Sequence, residues 1–131
     1  MQVVIFNIGD EKFALDTNLV HGIEKVMTIT KIPTAPYYVK GLVNLRGNIV
    51  TILDLKKILN VFSYTDNEEN IIIVEINEEK VGFMVDRVEE VIEVEMDSIE
   101  RPVDNQEFIR GIINLNNNII TLLEGETLIV R

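Results

Sequence analysis

No cysteine occurs in this chain, so disulfides, thiolate nucleophiles and sulfur-ligated metals are excluded together. One histidine, His21, and two serines, Ser63 and Ser98, leave little from which to assemble a nucleophile, a base and an orienting group. His21 beside Gly22 reads as a surface residue, and a histidine-based metal site would lack its second imidazole. The acids do not follow calcium-loop spacing. The seven glycines are scattered, with neither a dinucleotide fingerprint nor a phosphate loop, so no cofactor is expected. Aromatics are 6% of residues, tryptophan is absent and no basic stripe exists, which argues against nucleic-acid binding. No apolar run approaches the roughly 20 residues of a membrane helix. The opening Met1-Gln-Val-Val-Ile-Phe6 lacks the basic segment, long apolar core and cleavage site of an export signal. A cytoplasmic protein without membrane insertion is the expectation.

What the chain does contain is one pattern written twice. The segment from Tyr38 to Leu55 aligns with that from Phe108 to Gly125, an offset of 70 residues, and most positions match or change conservatively. Glu11-Lys-Phe-Ala-Leu15 and Glu79-Lys-Val-Gly-Phe83 repeat at 68. The adjacent break in this likeness is Arg46-Gly47, which becomes Asn116-Asn117 inside a hairpin that is otherwise kept. Each half, about 65 residues, is marginal alone without staples, so a large apolar seam and cooperative unfolding of the pair are expected. The polar stretch Ser63-Tyr-Thr-Asp-Asn-Glu-Glu-Asn70 places the internal boundary, dividing the chain into about 1–66 and 67–131. Charge changes there too. Of the net −10, residues 1–66 hold 7 basic and 6 acidic groups, and residues 67–131 hold 5 and 16. Such a face serves solubility and is suited to steering a basic partner.

Short β-branched runs bounded by turn residues predict strands over 3–8, 12–15, 41–45, 49–53, 71–76, 81–85, 92–96, 112–115, 119–123 and the terminal 128–130. The fold class is therefore all-β. Helical turns are expected after Asp16 or Thr17, bearing Leu19, Val20 and Ile23; after Asp86, bearing Val88 and Val91; and after Asp54, bearing Leu55, Ile58 and Leu59. Glu93, Glu95 and Asp97 alternate with Ile92, Val94 and Met96, the period of a strand with one wet face, which weighs against a carboxylate pair of glycosidase type. In Leu45-Arg46-Gly47-Asn48, a tight turn with Gly47 and Asn48 at positive φ, the cation is not needed by the backbone, because Asn116-Asn117-Asn118 serves the same purpose. Arg46 is then either a surface ion-pair residue or an interface anchor.

Phe6-Asn-Ile-Gly-Asp-Glu-Lys-Phe-Ala-Leu15, Ile32-Pro-Thr-Ala-Pro-Tyr-Tyr-Val-Lys-Gly-Leu-Val-Asn-Leu-Arg-Gly47 and Ile52-Leu-Asp-Leu55 together resemble the CheW family of chemotaxis coupling proteins, and the likeness covers almost the whole chain. The resemblance implies a single CheW-like domain of two intertwined five-stranded SH3-like barrels with short connecting helices and strands exchanged at the ends. It also implies no catalysis, and a cytoplasmic adaptor linking the tips of methyl-accepting chemoreceptors to the regulatory domain of the histidine kinase CheA in membrane-associated arrays. Carried over by position, it assigns kinase binding to Val20, Ile23, Met27, Lys40, Gly41, Arg46 and Gly47. The groove between barrels, for a helical receptor hairpin, draws on Val85, Asp86 and Val88, of which the two valines read equally as core. Gly22 stands where family members often carry an acid, a contact that Glu24 can replace. The chain also ends without the longer terminal helix common in the family. A scaffold of a non-motility signalling array is the related alternative, and a small carboxylate-using enzyme is the alternative from another class.

Overall fold

Two runs, Val3-Val4-Ile5-Phe6 and Ile71-Ile72-Ile73-Val74, are apolar at every position, which a strand tolerates only when both its faces are covered. The computed structural model, which describes residues 1–62, 67–102 and 107–129, shows what covers them. Strands β1 (Gln2–Ile8), β2 (Glu11–Asp16), β8 (Arg87–Glu93), β9 (Ile109–Leu115) and β10 (Asn118–Leu123) form one sheet, sheet A, in the order β8-β1-β2-β10-β9. Strands β3 (Val20–Lys25), β4 (Val39–Leu45), β5 (Asn48–Asp54), β6 (Asn70–Ile76) and β7 (Glu79–Val85) form the other, sheet B, in the order β3-β6-β7-β5-β4. Each sheet takes its first hairpin from one repeat and its other three strands from the other repeat. The joins are the parallel pairs β2 with β10 and β5 with β7 and the antiparallel pairs β1 with β8 and β3 with β6.

On β1, Val3 and Ile5 point into sheet A with Ala14, Ile113, Ile120 and Leu122, while Val4, Phe6 and Ile8 enter a seam shared by both sheets. β6 does the same in sheet B: Ile71 and Ile73 pack with Val43, Val50, Ile52 and Met84, and Ile72 and Val74 face the seam. Phe6, Phe13, Leu15, Leu55 and Phe83 fill that seam from both sides, so the expected apolar interface lies between sheets built from both halves. The architecture is all-β, two five-stranded SH3-like barrels. Backbone bridges curl each sheet on itself, Thr30 with Leu42 in sheet B and Glu100 with Ile112 in sheet A.

The helix expected after Asp54 is present as α1 (Leu55–Leu59), with Asp54 accepting from the Lys57 N–H and Leu55 and Ile58 buried. Four expectations fail. Beyond Asp16 there is a single 3-10 turn, Thr17–Leu19, after which Val20 and Ile23 lie on β3, paired with β6. Asp86 caps no helix, since Val88 and Val91 are on β8, paired with β1. In both places a helical spacing of apolar residues loses to cross-strand pairing with a distant strand. The strand expected over 92–96 ends at Glu93. Val94 is buried as the alternation requires, but Met96 opens a 3-10 turn and is 63% exposed. The terminal segment forms α2 (Gly125–Ile129) rather than a strand, with Leu128 buried in the seam; Val130 lies outside the described residues, as do positions 63–66 of the expected linker. No helix among the described residues is long and apolar enough to cross a membrane.

Candidate partner-binding surfaces

The β4–β5 hairpin joins Leu45 directly to Asn48 across a two-residue loop, with Arg46 at φ 51° and Gly47 at φ 85°. Positive φ thus falls one residue earlier than the sequence suggested, and Asn48 is already in the strand. The second hairpin repeats the conformation with Asn116 at φ 51° and Asn117 at φ 67°. Asparagine tolerates this region far better than arginine, for which left-handed backbone costs roughly 1–2 kcal/mol. Folding alone would favour asparagine at position 46. The Arg46 side chain is 75% exposed, and one nitrogen lies 3.5 Å from Glu24 Oε1 on β3. An ion pair this exposed contributes well under about 1 kcal/mol and does not offset the backbone cost. A Cβ at Gly22 would have the Glu24 carboxylate as its neighbour, at 3.7 Å.

The other residues assigned to the kinase surface separate into two groups. Ile23 is 41% exposed on β3, near the Arg46 turn through Glu24, whereas Val20 packs on the seam and Met27 on the interior of sheet B. Gly41 is buried, and a Cβ there would stand 2.2 Å from the Thr30 carbonyl oxygen. Gly111 makes the same close approach in the other copy, against Ile99 and Glu100, so glycine at both places serves barrel closure. Lys40 starts near the far end of β4, six residues from Arg46, a separation of about 20 Å along a strand.

Lys40 instead joins a cluster at the junction of the two sheets. Its ammonium lies 3.1 Å from Glu68 Oε1 and 3.9 Å from Asp54 Oδ2. Lys56, on α1, lies 3.8 Å from the same Glu68 oxygen and 3.5 Å from Asp86 Oδ1. Asp86 spans the sheets: its Oδ2 accepts from the Gly9 N–H at 2.7 Å in the β1–β2 turn and its own N–H donates to the Asn7 carbonyl on β1, while its carbonyl accepts from the N–H of Glu69, just before sheet B's β6. Of the receptor candidates, Asp86 is therefore at the junction. Val88 is half-buried against the seam, and Val85 is fully buried within it, where it contributes packing and no surface. A cleft of about 720 Å³ opens beside Asp86, bounded by Gly9, Asp10, Glu69, Arg87 and the exposed Phe62.

Sequence reasoning missed Lys56 and Glu68. The signal for Lys56 was present in the repeat, since Glu126 stands at its aligned position; Glu68 has no such marker. Elsewhere Glu89, on the outer face of sheet A, accepts from Lys12 Nζ and Asn7 Nδ2, each at 2.7 Å, which holds its carboxyl below the ordinary range. This is the reverse of the shift a general acid needs. His21 is at the surface as expected, 3.2 Å from Glu75.

The CheW-like domain model matches residues 2–131. The chain is 30% identical to the chemotaxis protein CheW of Helicobacter pylori over its full length, covering 82% of that protein. It is 28% identical to the chemotaxis protein CheW of Bacillus subtilis over 98% of the chain and 86% of that relative. Among solved structures it is similar to the scaffolding protein TtCheW of Thermoanaerobacter tengcongensis, with a TM-score of 0.86 at 36% identity, over 94% of this chain and 83% of the other.

Proposed function

The chain belongs to the CheW-like domain family, and from that premise we propose that it is a non-catalytic cytoplasmic adaptor that couples methyl-accepting chemoreceptors to the regulatory domain of a CheA-type histidine kinase. The observation that carries this reading is Arg46. A residue ill-suited to its backbone is kept in an exposed turn whose duplicate uses asparagine, and the local ion pair does not explain it. A guanidinium presented in this way suits a partner surface, where its planar set of donors makes arginine a common anchor. We assign kinase contact to Arg46, Gly47 and Ile23, with Val20, Met27, Lys40 and Gly41 shaping sheet B behind them. Receptor contact is assigned to Asp86 and Val88 at the inter-sheet junction, with Val85 supporting them from the core.

Such an adaptor makes and breaks no bond. It acts by holding two partners at once and favouring one arrangement of the kinase according to receptor state. Individual affinities of about micromolar strength are expected, because array assembly depends on many reversible contacts. The test is calorimetric titration of the wild type and Arg46→Ala with the kinase regulatory domain of the same organism. Saturable binding that weakens by about 1–3 kcal/mol in the variant supports the adaptor and this interface. Unchanged binding moves the interface elsewhere, and no binding at all removes the kinase from the proposal.

A further inference from the structure

The cluster around Lys56 connects the two surfaces just assigned. Asp86, on the receptor side, faces the Lys56 ammonium at 3.5 Å; Lys56 shares Glu68 Oε1 with Lys40; and Lys40 lies on β4, whose far end carries the Arg46 turn. Glu68 and Lys56 are almost wholly buried, with side chains 7% and 12% exposed, so these charges interact with little screening by water. The acceptors also outnumber the bonds made. Among the described residues, Glu68 Oε2 and Asp86 Oδ1 are buried without a hydrogen bond, although Lys56 lies close to both carboxylates. Lys56 lies between two carboxylates that each keep an unbonded oxygen, so it can close on Asp86 or on Glu68. The second arrangement competes directly with Lys40 for the same oxygen.

We propose that Lys56 is a positioning residue that relays occupancy of the Asp86 surface to β4 and the Arg46 turn, by exchanging its ion pair between Asp86 and Glu68. A receptor segment that engages Asp86 frees Lys56 toward Glu68, which displaces Lys40 toward Asp54, the N-cap of α1. The duplicated half carries different residues at this junction. Glu126 stands there at the position aligned with Lys56, and among the described residues the equivalent junction shows the ion pair of Arg110 with Asp16, at 3.5 Å. The relay rests on the adaptor reading above and adds to it the residue through which the two partners sense each other.

The test is a linkage measurement on the full chain. Affinity for the kinase regulatory domain is titrated with and without a saturating soluble hairpin from a chemoreceptor tip of the same organism. The wild type is expected to show a shift within the roughly 5- to 150-fold range usual for coupled sites. Lys56→Met, and independently Glu68→Gln should the first variant fold poorly, are expected to reduce the shift to less than twofold. Each separate affinity should stay within threefold of wild type, and Lys56→Arg should restore the linkage. Retention of the wild-type shift in a folded Lys56→Met or Glu68→Gln protein overturns the relay. Independent binding of both partners by the wild type overturns the relay but leaves the adaptor intact, whereas failure to bind either partner overturns the adaptor reading itself.

Discussion

The two hairpins, β4–β5 and β9–β10, share backbone, register and glycine-dependent closure, yet differ in what they present to solvent. The first turn carries Arg46 and Gly47 and the second Asn116 and Asn117, in the same left-handed conformation. The two junctions differ in the same sense among the described residues, with Lys40, Asp54, Glu68 and Asp86 gathered about Lys56 in one and an arginine–aspartate pair in the other. Where the copies agree, folding requirements are sufficient to explain the residue. Where they diverge, the first copy holds groups that folding alone does not favour, and those groups are the ones suited to partners.

The comparison is tested most severely at the seam, where both repeats contribute equally. Phe83→Ala, at a fully buried seam position, is expected to cost about 4 kcal/mol and to unfold both sheets in one transition. Near-ultraviolet and amide-exchange probes that melted separately for sheets A and B would show that the barrels are independent. Next come the matched glycines. Gly41→Ala drives a Cβ into a backbone oxygen at positive φ and should cost about 3 kcal/mol; Gly111→Ala meets first the Ile99 side chain, at ordinary φ, and should cost about 2 kcal/mol, both read by denaturant unfolding. Equal costs would mean that the two closures relax alike.

Arg46→Asn gives the first turn the chemistry of the second. Stability is expected to rise, by up to about 1 kcal/mol, because the relieved backbone strain exceeds the lost surface pair, while kinase-domain affinity falls by about 2 kcal/mol. A variant that binds like wild type would remove the functional meaning of the asymmetry. The smallest effect concerns pH. In sheet A, Glu89 bonds Lys12 and Asn7; at the matching place in sheet B, His21 meets Glu75. The folded Glu89 pKa is depressed, so its contribution is full above the ordinary carboxylate range and is lost as pH falls through the lower folded value. Glu89→Gln should flatten that acid limb of the stability curve, by under about 1 kcal/mol at moderate salt. An unchanged limb would assign it to other carboxylates.

Most strands were legible because their apolar periodicity is local, and α1 was legible because Asp54 supplies a side-chain cap. β3 and β8 were not. Their sequences, Val20-His-Gly-Ile-Glu-Lys25 and Arg87-Val-Glu-Glu-Val-Ile-Glu93, alternate at half-buried edges behind an aspartate that imitates a helix cap, and only pairing with β6 and β1 decides their conformation. α2 was hidden for a related reason. Gly125 at its start is a poor helix former, tolerated because a larger residue would strike Leu19. At the candidate surfaces, Arg46 was visible as a broken repeat. The burial of Val85 and Gly41 was not visible, because one apolar residue looks the same whether it lines a groove or fills a core.

The sequence by itself determined the duplication, the all-β class, the seam-forming strands and the odd arginine, since each is written in nearby residues as period, composition or a difference between copies. Only the tertiary structure decided which hairpin completes which sheet, and that Lys40, Lys56, Glu68 and Asp86 meet at one junction. Those contacts join residues that the chain keeps far apart, and they form only after apolar burial has fixed the two barrels against each other.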